Sequence, residues 1–412
     1  MRLISQLAAI STGYAQAGLN YLMALDAAGY EDFGLAIPEG SPGVVWRHMP
    51  SWTAPLMRIR KTTPQLDDLC IIHHTPEAVT NTQLRRGLLR NVALTVTETD
   101  RIPRYIARAL GGLDAVIVPT EWNKQVFVAA GLAEDRVFAV PHAQGPWLWE
   151  DAPPLVPASK PYVFYYIGAW NNRKNPRGVL EAYLRAFPKV TGETMLLMKI
   201  SGNVGNRQTA EAILAEAGAL HRLKAPRGDA GPAGGQDIAI YSDTLDGGGT
   251  WSDKKIRWLH EMGDCYVAPY RGEGWNLPAH TAALLGRAVI YTDWSAPRDF
   301  LSAGAGDMPI GYKMVDAGEQ GGANSYWVTV GSQRPMQWAE PNLDEVAAAM
   351  QHAVATRPKR SAEHLAHLRH TYCWAAVGHR LVATMNAVMA APPSAVRKPL
   401  AVEVISIPPA TP

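Results

Sequence analysis

Short apolar runs, each about the length of one strand, alternate with segments of helical period along almost the whole chain. Strands apolar on both faces need cover on both, so this alternation specifies parallel sheets packed between helices, an α/β class. In the first half, strands are expected at residues 3–10, 33–37, 69–73, 92–96, 115–118 and 137–140. A helix is expected over about 18–28, and Thr120 caps another that ends near Gly131. Residues 151–161, DAPPLVPASKP, hold four prolines and are too poor in donors for a strand or helix interior, so they read as a linker. The alternation then restarts, with strands at 162–169, 195–200, 238–241, 265–268 and 288–292 and helices after Pro176, near 253–262 and from Pro278. Two doubly wound units in tandem result, with a Gly/Pro-dense surface excursion over 224–236.

Composition narrows the function classes. The 412 residues give room for two domains, and 39 Lys+Arg against 37 Asp+Glu, with 18% charged and 47% hydrophobic residues, argue against disorder or a polybasic tail as the main theme. Cys70, Cys265 and Cys373 form no CxxC spacing and read as reduced core residues of a cytoplasmic protein. No apolar run approaches the roughly 18 residues that would span a bilayer, so no transmembrane segment is expected. Arg2, the apolar stretch after it and Ala15-Gln16-Ala17 imitate a secretory signal, but Ser5, Gln6, Ser11 and Thr12 interrupt it. A first strand followed by a glycine turn fits better.

In doubly wound sheets ligands gather beyond the carboxyl ends of the strands, which selects the residues just after each one. The stretch 11–18, STGYAQAG, joins the first strand to the first helix; glycine lets backbone approach a ligand, and a helix start offers free amides. Its spacing is not GxGxxG, and a plain tight turn fits it as well as a ligand loop. In 168–176, GAWNNRKNP, Arg173 and Lys174 precede a helix opened by Pro176. Two cations there oppose the helix dipole, which makes sense around a phosphate, although two solvated charges on a turn read the same way. In 270–278, YRGEGWNLP, Glu273 sits in a glycine-flanked loop before a proline-initiated helix, where a carboxylate can accept sugar hydroxyls while the next amides face a phosphate. His73 and His74 follow one strand of the first half and Glu98 another, offering polar groups to a cleft between the units. No HExxH or similar ligand spacing accompanies the histidine pair, and no metal is expected.

The stretches GAWNNRKNPRGVLEAYLRAF (168–187), MGDCYVAPYRGEGWNLP (262–278), LLGRAVIYTDWSAPRDFL (284–301) and WAEPNLDEVAAAM (338–350) follow TETDRIPRYIARALGGLDAVIVPTEWNKQVFVAAGL (97–132) and VPHA (140–143). Their order and spacing resemble the retaining glycosyltransferases of the GT-B fold, specifically group 1, family 4, which includes many bacterial mannosyl- and glucosyltransferases. The resemblance runs from residue 11 to about residue 385. It implies two Rossmann-like domains facing a cleft: 1–155 on the acceptor side, and 156–370 holding a nucleotide-diphosphate sugar. A helix over 371–390 would cross back to the first domain, and 391–412 would be a Pro-rich tail.

Carried over by position, Glu273, Lys174 and His74 form the catalytic group. Lys174 and Arg173 would hold the donor diphosphate, Glu273 would bind sugar hydroxyls as the first acid of the family's E-x7-E motif, and His74 would touch the transferred sugar. Gly274, Trp275, Asn276 and Leu277 would supply amides to sugar and phosphate, Gly13 and Tyr14 would close over the donor from the other side, and Glu98 and His73 fall on the acceptor side. Two positions depart from the pattern. Thr281 stands at the second acidic position, a neutral and weaker partner for a ribose hydroxyl, and Ala169 stands where many members have a diphosphate-binding arginine.

The implied activity is retaining transfer of a hexose from a UDP- or GDP-sugar to a hydroxyl acceptor, a glycan, a lipid-linked sugar or a small metabolite, with neither metal nor cofactor. Two alternatives remain open. Arg58, Arg60, Lys61, Arg85, Arg86 and Arg90, with Trp46 and Trp52 nearby, could follow a phosphate backbone, as in phage-type enzymes that glycosylate hydroxymethylated bases in DNA. Thr281 and Ala169 also fit a non-catalytic nucleotide-sugar or glycan-binding protein.

Overall fold

The computed structural model describes residues 3–7, 13–30, 33–36, 53–54, 68–81, 90–150, 161–201, 204–223, 236–242, 251–317 and 335–394. Outside them lie Ser11 and Thr12, Trp46, Trp52, the basic residues Arg58, Arg60, Lys61, Arg85 and Arg86, nearly all of the linker, most of the 224–236 excursion and most of the tail.

The first half runs β1 (Leu3–Leu7), α1 (Gly13–Ala27), β2 (Phe33–Ala36), β3 (Leu69–His73), α2 (Pro76–Asn81), β4 (Arg90–Leu94), α3 (Arg104–Leu110), β5 (Ala115–Val118), α4 (Glu121–Ala129) and β6 (Val137–Ala139). Its strands form one parallel sheet in the order β2-β1-β3-β4-β5-β6. The second half runs β7 (Tyr162–Ala169), α5 (Pro176–Ala186), β8 (Thr194–Ser201), α6 (Val204–Glu216), β9 (Ile238–Ser242), α7 (Asp253–Met262), β10 (Cys265–Ala268), α8 (Leu277–Leu284), β11 (Ala288–Thr292) and β12 (Met308–Ile310). These strands form a second parallel sheet, β12-β11-β10-β7-β8-β9. An antiparallel pair, β13 (Tyr312–Asp316) and β14 (Gln337–Pro341), precedes α9 (Leu343–Thr356), α10 (Ala362–Tyr372) and α11 (Trp374–Ala390).

Alternate residues of the central strands feed separate cores. Tyr162, Phe164 and Tyr166 of β7 join one cluster with Leu196, Met198 and Ile200 of β8, while Val163, Tyr165 and Ile167 join the opposite one. In β3, Leu69 and Ile71 face one core and Cys70 and Ile72 the other. Continuous apolar runs follow from this two-sided burial.

Helix α11 belongs to the first half's packing. Val377, Leu381, Met385 and Val388 recur at helical spacing and sit in one cluster with Leu22 and Leu25 of α1. The helices cross so closely that a Cβ on Gly378 would overlap the Ala24 carbonyl oxygen, which is why glycine stands there. No helix among the described residues is long and apolar enough to cross a membrane.

Three sequence expectations are corrected. Helix α1 starts at Gly13 rather than near residue 18, because Ala15, Ala17 and Gly18 are buried and tertiary packing overrides glycine's weak helix propensity. Strand β4 starts two residues early, Arg90 and Asn91 pairing with Leu69 and Cys70. Arg90 is also no open phosphate contact: it is buried, and its guanidinium donates to the Val388 (3.4 Å) and Ala391 (3.0 Å) carbonyls at the end of α11.

Both sheets have a point where the strand order reverses. In the first it lies between β1 and β3, and in the second between β7 and β10. The crevice beyond such a point is where open α/β sheets bind ligands. Gly13, Tyr14, His73 and His74 follow β1 and β3 or end the latter, and Arg173, Lys174 and Glu273 follow β7 and β10.

Candidate active site

The β7–α5 loop is shaped by its asparagines. Asn171 Oδ1 accepts the Lys174 amide (2.9 Å), and Asn175 takes a left-handed conformation while its side chain caps Gly178 N and donates to the Pro269 carbonyl (2.9 Å). The Arg173 carbonyl accepts the Arg271 amide (2.7 Å), tying this loop to the one after β10. The second loop repeats the device, with Asn276 left-handed and capping Ala279 N. Ser295 Oγ accepts the Glu273 amide (3.3 Å).

Held this way, four charged side chains converge. Lys174 Nζ lies 2.8 Å from Glu273 Oε1, Arg173 Nη1 3.2 Å from Glu273 Oε2, and Arg173 Nε 2.9 Å from Glu98 Oε2. Arg173 also donates to the Gly272 carbonyl at 2.6 Å. Burial works against the Glu273 carboxylate, but Lys174 and Arg173 outweigh it and hold the group below the usual carboxylate range. At Glu98 burial prevails: its carboxyl is pushed up despite Arg173, with Glu273 adding to the rise. A small pocket, about 10 Å³, is lined by Lys174, Glu273 and Asn276 together with Tyr166, Tyr266 and Tyr270. The tyrosine hydroxyls donate to the Ala169, Ile167, Thr292 and Trp294 carbonyls and fix these rings.

The first half meets this loop directly. Side-chain atoms at Gly272 or Gly274 would collide with the Glu98 carbonyl oxygen or with Val96, so both glycines permit close approach. Asn123, fully buried, donates to the Gly274 carbonyl (3.1 Å) and accepts the Thr97 amide (2.7 Å). Gly13 faces Leu277: a Cβ there would lie 3.7 Å from Leu277 Cδ1. Tyr14 in the first turn of α1 packs on His73 and His74, with ring centroids 5.6 and 6.4 Å apart. His74 is half-buried; its Nδ1 accepts the Thr75 amide (2.8 Å), leaving Nε2 as the donor, and burial lowers its pKa so that it is neutral near pH 7.

Two acceptor-side expectations change. His73 is 1% exposed and packs in the interior against Tyr14, Tyr21 and His142, because it is the last residue of a central strand rather than a loop residue. Glu98 is bonded to the arginine assigned to the donor, since the close glycine contacts bring its loop onto the β10–α8 loop. Trp275 is buried among His142, His280, Phe300 and Tyr372, and Thr281 Oγ1 accepts from Gln144 Nε2 at 3.5 Å. Asn123, His142 and Gln144 escaped the sequence reading; the fragments PTEWNK and VPHA contain the first two, and Gln144 lies just beyond VPHA. Among the described residues no group of three His, Cys, Asp or Glu side chains could hold a metal ion.

Solved structures place this architecture. Anabaena HepE in complex with UDP superposes with a TM-score of 0.62 at 10% identity, covering 94% of this chain and 100% of that one. The fold is GT-B. The lipopolysaccharide outer core galactosyltransferase WaaB is similar at 12% identity and TM-score 0.57 over 94% of this chain and 99% of its own. An E. coli trehalose-6-phosphate protein bound with UDP-2-fluoro glucose matches at 15% identity and TM-score 0.59, covering 95% and 100%. Neither a protein-family model nor a curated protein sequence matches the chain. At such identities the likeness is one of fold.

Proposed function

We propose that this GT-B chain is a hexosyltransferase that uses a nucleotide-diphosphate sugar, UDP- or GDP-linked, and transfers the sugar with retention to a hydroxyl acceptor. The observation that carries the reading is that Lys174 and Glu273 line one pocket at the switch point of the second sheet, with Arg173 paired to Glu273 beside it. Folds alone do not assign chemistry, but the site has the parts that this chemistry needs.

Cleaving a sugar–diphosphate bond places negative charge on the leaving phosphate, which fixed cations and helix-start amides stabilise. Arg173, Lys174 and the amides after Glu273 fill that role without a metal. Glu273 orients sugar hydroxyls, His74 offers a neutral Nε2–H from the facing half, and Thr281 takes the ribose. Glycosyltransferase structures of this fold that hold UDP or UDP-glucose, such as those of Anabaena HepE, support a uridine nucleotide. A non-catalytic binder of the same ligand is the second reading, favoured by the neutral Thr281 in place of an acid.

A panel of UDP-, GDP- and ADP-sugars tests both readings. Hydrolysis or transfer with at least one donor, insensitive to EDTA, is the expected result. Binding without turnover would leave the binder, strict metal dependence would overturn the phosphate clamp, and no binding at all would overturn the proposal.

A further inference from the structure

Glu98 pairs with the arginine that the proposed function gives to the donor diphosphate. Ion pairs link two cations, Arg173 and Lys174, and two carboxylates, Glu98 and Glu273, in one chain: Glu98 to Arg173, Arg173 to Glu273 and Glu273 to Lys174. The cluster is neutral as it stands. A nucleotide-diphosphate sugar brings two negative charges, and in a partly buried cleft that surplus is poorly screened. One carboxylate must withdraw or take a proton.

The two carboxylates are not equivalent. Glu273 bonds to both cations, is 5% exposed, and is held in its charged form. Among the described residues the Glu98 carboxylate forms an ion pair with Arg173 only, it is more open at 17%, and burial already disfavours its charge. Arg173, Lys174 and Glu273 face it from the second half, and Glu77 of α2 and Tyr14 of α1 from the first.

We propose that Glu98 is a displaceable counter-ion of the donor site: it neutralises Arg173 until the donor's diphosphate takes its place, and the exchange takes up one proton. The inference rests on the proposed function, because it needs Arg173 to meet a diphosphate. Once Arg173 turns to the phosphates, Glu98 loses its nearest cation and is left beside Glu273, Glu77, the Tyr14 ring and the incoming negative charge. Every remaining neighbour except Lys174 then favours the neutral acid. Because binding takes up a proton, affinity falls as pH rises through the window between the free and bound values of Glu98, by at most about tenfold per pH unit.

Isothermal titration of the full chain tests this. The probe is whichever of UDP-, GDP- or ADP-glucose binds best, whose phosphates keep their charge throughout the range, measured from about pH 6 to about pH 8 in two buffers of different ionisation enthalpy. Wild type takes up close to one proton and binds more weakly as pH rises. Glu98→Gln, with fold checked by circular dichroism, takes up none, shows flat affinity, and binds roughly tenfold tighter than wild type at the upper pH. Glu98→Asp keeps the titrating group and retains uptake. Unchanged uptake in Glu98→Gln, weaker binding by that variant, or no uptake by wild type overturns the counter-ion role while leaving the donor site intact. Failure of every donor to bind wild type sinks the proposed function instead, and this inference with it.

Discussion

Replacing Glu273 by glutamine keeps the shape of the site and removes one charge from its centre. In the native arrangement the carboxylate faces Lys174 at 2.8 Å and Arg173 at 3.2 Å while 5% exposed. Removing one partner of a sealed ion pair costs about 3–5 kcal/mol. Here the loss is smaller, because Arg173 keeps Glu98 at 2.9 Å and the Gly272 carbonyl at 2.6 Å, and Lys174, 24% exposed, reaches water. About 2 kcal/mol remains, a fall in Tm of about 4–8 °C for domains of this size. Transfer falls further, about 10²-fold or more in kcat/KM, since a charged acceptor of sugar hydroxyls is lost.

Lys174→Ala costs transfer a comparable factor but acts oppositely on the nucleotide. Glu273→Gln leaves the four-group cluster with one net positive charge, so nucleotide-diphosphate affinity holds or rises. Lys174→Ala leaves it net negative, and affinity drops. Calorimetric binding of a nucleoside diphosphate, beside a hexose-transfer assay on the donor that the panel selects, reads both. Normal turnover in the two variants would remove the assignments, and equal nucleotide affinity in both would refute the charge reasoning.

Thr281→Glu restores an acid beside Gln144 Nε2, which now donates to Thr281 Oγ1 at 3.5 Å; it is expected to lower the Kd for the preferred nucleotide sugar several-fold, and unchanged binding by calorimetry would argue against the ribose assignment. Acid should destabilise the fold through four buried histidines, because burial lowers the pKa of His142, His260 and His280 to about 3 and that of His73 well below its ordinary value. The unfolded chain therefore binds more protons, so this stability is fully present above about pH 6.5 and is lost as pH falls below it, at up to about 1.4 kcal/mol per pH unit for each histidine. Urea unfolding between about pH 8 and about pH 5 reads the slope, His280→Phe should make it shallower by about a quarter, and a flat profile would refute the account.

The fold was legible because it rests on short-range periodicity: strand-length apolar runs and helix segments recur with few interruptions, and β5, α7, β10 and β11 match the expected bounds. Arg173, Lys174 and Glu273 were legible for a related reason, since each follows a strand at a place where sheet order decides that ligands collect. What escaped depends on contacts between the halves. Asn123 reads as an ordinary residue in the first turn of a helix, yet its carboxamide is used by Thr97, Thr120 and Gly274. Glu98 lies on the first half's side of the cleft in sequence and at the second half's cation in space.

The glycines explain how one pattern could carry two meanings. Gly272 and Gly274 signal close approach to a ligand, but the group that approaches them is the first half's own chain at Val96, Thr97 and Glu98. The same approach carries the Glu98 carboxylate onto Arg173. Under the proposed function, a cleft closed in this way binds an anionic donor by exchange: the measured affinity is the difference between two sets of contacts to Arg173, one with the protein's own acid and one with phosphate. Substitutions on the first half should therefore alter donor affinity without touching the donor, and their effects should be largest where they change charge.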